Sequence, residues 1–499
     1  MRAVLLYFFS LSLCTLQCQA QIFRVANTYQ SNMVLQQSPK RAKIWGFGQI
    51  GAVVTVTMDQ FTDTLNVGGN AIWSFTLPPQ PSGGPRSISI EHNVPQGARS
   101  TVLLENIVFG DVWLCAGEGN MQFPMRNIFN STLEIENAVK YSEKIRTAQL
   151  ESRTSDSELD EQYPYRTIWS KLETASVADF SAVCLLYAIR LLDEVPDHAP
   201  IGLIQATYEH SNIEAWVSKR VINVCNSTFS PEYGQGLLKE HSIWNAMIHP
   251  LTKNSLKGVI WYQGESNVNY NLPYYTCHFK NLTFDWSYTF FDGTVPTHTD
   301  GWAFPFGFVQ LGPMESEIEQ FDQLISHLRL HQTFDTEVAP NNYNNETFMA
   351  PAYDLYDGTS PYGSIYYRDK QTVAKRLANS FVFLYYDRFD LEFVGPIPSI
   401  YKLDTFCTAT FGWKVKFNGQ AGDPSGFFFK RRNGIWIEAP IFNITSDTMT
   451  FEVEELATEL AYGWSARQCE YKMCPIYSID RGPDGLPAII MSFSLYTYP

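Results

Sequence analysis

Basic residues are scarce in this chain: 36 Lys and Arg stand against 51 Asp and Glu, a formal net charge of −15. A surface of that sign is repelled by phosphate backbones and anionic bilayers, which argues against nucleic-acid and membrane-surface binding. Charged residues of either sign reach only 17% while hydrophobic ones reach 45%, so the composition of a disordered tract is lacking. Past the amino-terminal leader no apolar run approaches the ~18 residues of a membrane span. Internal repeats and low-complexity tracts are absent too. Histidine is thin, nine in all, and none follows His331. No second Cys or His pair stands at ligand spacing to complete a zinc site, and His210 beside Glu209 is too small a set for a metal, so neither metal nor cofactor is expected.

What is present starts with Met1-Arg2, an apolar run from Ala3 to Leu16, and a small-residue cleavage site at Cys18-Gln19-Ala20. Residues 1–20 therefore read as a signal peptide, and the destination as secreted or lysosomal. Five Asn-x-Thr sequons, at Asn130, Asn226, Asn281, Asn345 and Asn443, suit that route and predict a glycoprotein. Of the nine cysteines, Cys14 and Cys18 fall in the leader, which leaves an odd set with at least one unpaired thiol. Cys115 and Cys184 lie in apolar runs and are expected as buried free thiols. Cys469 and Cys474 are spaced for a small local disulfide. Aromatics at 15% fit sandwich cores before they suggest sugar-stacking platforms.

At 499 residues the chain exceeds one hydrophobic core, and its text changes character twice. Residues 21–108 carry short β-like runs such as Val53–Met58 between turn signals, which predicts a β-sandwich. Residues 109–390 alternate continuous apolar strands (Ile201–Ala206, Val259–Tyr262, Phe306–Leu311, Met349–Leu355) with helical stretches (Phe180–Leu192, Arg368–Leu377). Strands buried on both faces, with helices between, predict an α/β domain built on a parallel, doubly wound sheet. Residues 391–499 return to β-like text.

In such a sheet functional loops gather at the carboxyl ends of the strands. The run Val112-Trp113-Leu114-Cys115-Ala116-Gly117-Glu118-Gly119-Asn120-Met121-Gln122 is a strand passing into a glycine turn. Two more loops follow predicted strands, Tyr208-Glu209-His210-Ser211-Asn212 and Gln263-Gly264-Glu265-Ser266-Asn267, and a fourth holds Asp354 and Asp357. Glu118, Asn120, Glu209, His210, Gln263, Gly264, Glu265 and Asn267 are the candidate binding residues. Any one of these tetrapeptides is an ordinary turn by itself.

Taken together and in order, they resemble the sialate O-acetylesterase family. The likeness runs through Gly110–Cys115, Ile213-Glu214-Ala215-Trp216, Asn245–Leu251, Lys257–Asn267, Ser360–Ile365 with Arg368–Val373, and Cys469–Pro475. It implies an SGNH-hydrolase-type α/β domain flanked by β-domains, and a Ser-His-Asp esterase acting on acetylated sugars. In the family's Gly-Gln-Ser-Asn-Met-Gln turn the nucleophilic serine corresponds to Gly119 here. The family's Ser-Ile-His-Pro-Arg-Asp-Lys reads Ser364-Ile365-Tyr366-Tyr367-Arg368-Asp369-Lys370, so Tyr366 stands at the base. Asp357 is the expected third triad position. The family's Trp-Gly-Gly-Thr oxyanion turn becomes Tyr208-Glu209-His210-Ser211. Ser266 and His249 belong to the shared pattern and read as structural.

Losing a triad nucleophile or base costs on the order of 10⁶ in turnover, and a phenol with a pKa near ~10 is a poor base at neutral pH. The resemblance thus implies a pseudoenzyme that keeps a pocket for O-acetylated sialic acid, another glycan or a secreted protein. The alternative is an active carbohydrate O-acetylesterase working with non-standard residues. Nothing in the sequence sets an oligomeric state.

Overall fold

The computed structural model describes residues 23–226, 238–294, 302–318, 320–412, 414–479 and 485–495; the leader lies outside them. Near the amino terminus, Val53–Met58 buries alternate residues, as a strand with one face on a core must. It pairs antiparallel with Phe61–Asn66 on one side and Gly83–Asn93 on the other. A second small sheet, Arg24–Val25, Lys43–Phe47 and Ile72–Thr76, closes over it, and Trp45 and Trp73 are fully buried in the shared core.

Arg99–Gly117 is one 19-residue strand that ties this layer to the next. Its first half pairs antiparallel with Gly83–Asn93, and its second half pairs parallel with Ile201–Thr207 and Gly258–Tyr262. Residue 108 therefore sits inside a continuous strand and not in a linker. Across the α/β domain the strand order is Thr167–Lys171, Ile145–Gln149, Ile201–Thr207, Arg99–Gly117, Gly258–Tyr262, Phe306–Gln310, Thr347–Pro351. All run parallel except the edge strand Thr167–Lys171, so the expected parallel sheet is present and carries one antiparallel edge strand.

Both faces are covered. Trp113 packs edge-on against Tyr187 and Phe381 from helices Ala182–Glu194 and Lys370–Tyr385. Trp261 points the other way, against Phe279 and Trp286 of helix Tyr275–Thr294. From Arg99–Gly117 the chain fills one side of the sheet first and then the other. Such a reversal opens a crevice beyond the strand's carboxyl end, at Gly117.

Cys115 and Cys184 are not free thiols. They form a disulfide (S–S 1.99 Å) that joins the central strand to helix Ala182–Glu194. An apolar setting suits a thiol and a disulfide equally, and only the packing of strand on helix brings the two Cα atoms to 5.9 Å. Cys225–Cys277 and Cys469–Cys474 are also bonded, and among the described residues the unpaired thiol is buried Cys407.

The carboxyl-terminal part is a seven-stranded antiparallel sheet from Pro398–Leu403 to Met491–Ser494, with Phe427 stacked on Phe451 at 4.2 Å in its core. It is seated firmly on the α/β domain. Arg329, fully buried, donates to the carbonyls of Leu311 and Gly312 on one side and of Ser465 and Ala466 on the other. Tyr477 and Tyr471 donate to Asp354 (3.0 Å) and Asp369 (2.6 Å). No helix among the described residues is long and apolar enough to cross a membrane.

Candidate functional site

Gly117 ends the central strand with φ +146°, and a Cβ there would fall 2.0 Å from the Tyr262 carbonyl oxygen. Only glycine lets the two strand ends close up at this point. The chain then turns into the short helix Gly119–Gln122, and the loops after Ile201–Thr207, Gly258–Tyr262 and Thr347–Pro351 converge on it.

Most of the sequence-selected residues form the floor. Glu118 is buried; its carboxylate accepts from the Gly264 amide (2.9 Å), the Ser266 amide (3.3 Å) and the Ser266 hydroxyl (2.5 Å). Gln263 donates to the Ser211 carbonyl (3.0 Å) and to Asn267 Oδ1 (2.8 Å), and Asn267 also accepts from the Ile213 amide. Glu118, Gln263, Gly264 and Asn267 thus brace the loops against one another from below. Ser266 belongs to the same bracing, and His249 bonds the Leu159 carbonyl instead of entering the site.

Above the floor is an open cavity of about 300 Å³ whose wall includes Gly119, Glu209 and Tyr366. The half-buried Tyr366 ring lies directly over Gly119: a Cβ added to the glycine would come within 2.3 Å of the phenol oxygen. The hydroxyl donates to Glu209 Oε1 at 3.1 Å. Burial first, and the Glu209 charge next, push that hydroxyl's pKa well up, so it stays protonated. His210 is exposed beside Glu209, 3.6 Å from its carboxylate.

Asp357 is buried, but its oxygens are taken by Arg368 (2.7 and 2.9 Å) and Thr359. The Arg368 bonds hold its carboxyl below the ordinary carboxylate range. Tyr366 turns to Glu209 and not to Asp357, so the triad positions do not form a connected relay.

One important residue escapes sequence reasoning. Lys370 is fully buried and donates to Asn120 Oδ1 at 2.6 Å, while Asn120 Nδ2 donates to Glu265 Oε1 at 2.6 Å. A single amide therefore bridges a lysine and a glutamate. Burial drives the Lys370 pKa down to about 7 against the opposing pull of Glu265. The run Ser364–Lys370 contains this lysine, but lysines are so seldom buried that nothing in its local pattern marks it.

The Glu118 carboxyl is pushed well above its ordinary 4.5 by burial first and the Glu265 charge second. Between 4.5 and the raised value the folded protein binds more protons than the unfolded chain, so this group's contribution to stability falls as pH rises. Glu118→Gln removes that dependence. The variant is expected to gain on the wild type as pH climbs above 4.5. Urea midpoints at both ends of the range measure this, and a gap that ignores pH contradicts it.

Comparison with known proteins starts from this geometry. The chain is 36% identical over 482 residues to the sialate O-acetylesterase of Pongo abelii, covering 91% of this chain and 90% of that protein. The Homo sapiens sialate O-acetylesterase matches at the same identity and coverage.

The chain belongs to the sialate O-acetylesterase family.

The model of the sialate O-acetylesterase C-terminal domain matches residues 410–492, most of the seven-stranded sheet. Among solved structures, a carbohydrate acetylesterase from Xanthomonas citri superposes with a TM-score of 0.77, covering 95% of this chain and all of that one at 21% identity. At that identity the likeness establishes the fold: an acetylesterase-type α/β domain carrying antiparallel β-domains. In this family member the strand-end loops enclose a crevice, and what occupies its centre is a phenol.

Proposed function

We propose that this protein is a secretory-pathway member of the sialate O-acetylesterase family that has lost acetylester hydrolysis and uses its crevice to bind glycans or another secreted protein. One observation carries the reading: Tyr366 fills the space above Gly119 where a nucleophile's side chain would stand. Glycine brings no attacking atom, and a serine hydroxyl cannot share that volume with the phenol. A protonated tyrosine hydrogen-bonded to a carboxylate is not poised to take a proton from anything else. Glu209 also sets a negative charge close to where an oxyanion would develop, the reverse of what acyl transfer needs.

Three disulfides support an oxidising compartment. Asn130, Asn226, Asn345 and Asn443 are exposed and suited to glycosylation. Asn281 lies on helix Tyr275–Thr294 with its amide bonded to the Cys277 carbonyl at 2.8 Å, a poorer acceptor position.

The test is turnover by purified protein on 4-nitrophenyl acetate and on an O-acetylated sialoside. Wild type is expected to match the buffer blank on both, with no acetyl adduct in intact-mass spectra. Turnover abolished by substituting one crevice residue would instead establish a working esterase with non-standard residues.

A further inference from the structure

We infer that the outer face of the carboxyl-terminal sheet holds the chain's own N-linked glycan, with the first N-acetylglucosamine of Asn443 packed on the Phe442 ring. The inference lies outside the crevice and rests only on the secretory-pathway part of the proposed function.

Strand register defines the face. Tyr401, Thr408, Thr450 and Asn443 stand opposite one another on the neighbouring strands Pro398–Leu403, Phe406–Phe411, Thr448–Glu452 and Trp436–Ile444. Met449 and Phe451, which flank Thr450, are buried, so this row looks away from the core. In a regular strand Phe442 and Asn443 would point to opposite faces. Here the register shifts between Ile441 and Asn443, a β-bulge at Phe442. Ile441 stays buried opposite Phe451, while Phe442 and Asn443 are both exposed. The bulge therefore brings an aromatic ring and a sequon asparagine to the same side.

That side is apolar. Phe442 is 57% exposed, and its ring reaches across the intervening strand to Phe406 at 4.7 Å. Leu403, 60% exposed, stands opposite Phe406 in register. Single exposed apolar side chains are ordinary surface, but three in a strip across the sheet call for a cover.

The sequon names the cover. Asn443-Ile444-Thr445 runs from the strand end into the exposed turn Thr445-Ser446-Asp447, open to a glycosylating enzyme. Attachment joins Asn443 Nδ2 to the anomeric carbon of a lipid-diphosphate-linked oligosaccharide; the amide gives up one proton and the lipid diphosphate leaves. The first sugar is then tethered one residue from Phe442, where its effective concentration is high. Its C–H face meets the negative face of the ring, and its hydroxyls stay in water. A second protein approaching the strip would meet this glycan first. Asn130 supplies an internal contrast. It too follows a phenylalanine, but the Phe129 ring already carries the Arg368 guanidinium at 4.5 Å and packs against Tyr471 at 6.4 Å.

The experiment uses the full chain secreted from eukaryotic cells, with glycopeptide mass spectrometry for occupancy and native-state release by a peptide N-glycosidase for access. Phe442→Ser is expected to speed release from Asn443 by roughly fivefold or more and to leave release from Asn130 unchanged, while Phe442→Tyr keeps the slow rate. Asn443→Gln is expected to speed amide exchange across residues 436–452 by roughly fivefold, but by less than about twofold when Phe442→Ser is already present. An occupied Asn443 whose release and exchange ignore Phe442 overturns the inference. So does slow release that disappears on dilution together with a dimer in sedimentation, which would assign the strip to a second copy of the chain. An empty Asn443 beside occupied sequons elsewhere overturns it and leaves the secretory reading standing; no glycan on any sequon overturns both.

Discussion

Gly119→Ser combined with Tyr366→His is expected to raise 4-nitrophenyl acetate turnover at least ~10²-fold above wild type, while each single substitution stays at background. The reason is steric before it is chemical. A serine Cβ at 119 would lie 2.3 Å from the Tyr366 hydroxyl, so the single variant must push the ring aside or shift its own backbone. Tyr366→His clears the space but leaves nothing to attack an ester. Only the pair supplies a nucleophile and a base in compatible volumes, and residues that act as a unit are strongly non-additive.

The gain is expected to fall well short of a full triad's ~10⁶, because Asp357 is committed to Arg368 and Glu209 remains beside the reacting centre. A further change, Glu209→Gly, should add to the double variant by removing the opposing charge. A double variant that folds like wild type by circular dichroism yet shows no turnover would mean that more of the crevice than these two positions has changed.

Arg376→Ala is expected to destabilise the protein by about 3–5 kcal/mol, seen as a large drop in the urea midpoint. Asp354 is fully buried and takes two hydrogen bonds from the Arg376 guanidinium, at 2.6 and 2.8 Å. Removing the arginine strands a carboxylate in an apolar interior. The same aspartate accepts from Tyr477 of the carboxyl-terminal part, and its backbone carbonyl accepts from the Lys472 amide at 2.8 Å. The loss should therefore loosen the seating of that domain, giving faster proteolysis between residues 463 and 479. Asp354→Asn on top of Arg376→Ala should recover part of the deficit, because the neutral amide removes the stranded charge. No recovery would show that the cost comes from lost packing instead.

Period-two alternation was enough to read Val53–Met58, and continuous apolar runs were enough for Ile201–Thr207, Gly258–Tyr262 and Phe306–Gln310. Helix Tyr275–Thr294 was not legible. Its buried residues include His278, Thr283 and Ser287 among aromatic rings, so its packed face does not read as an apolar stripe. Strand Arg99–Gly117 was split at residue 108 because its first half is mostly exposed and its second half is wholly buried. Those are the patterns of two different sheets, and one strand belongs to both.

The candidate residues divide in the same way. The sequence by itself determined the family, the order of the layers, and the facts that position 119 carries no hydroxyl and position 366 no imidazole, because covalent identity needs no fold to be read. Tertiary structure decided that the Tyr366 ring occupies the space over Gly119, that Asp357 is spent on Arg368, that Lys370 is buried against Asn120, and that Cys115 bonds Cys184. Each of those depends on distances between segments remote in the chain, which are set by how helices and loops pack on the sheet and leave no local mark in composition or spacing.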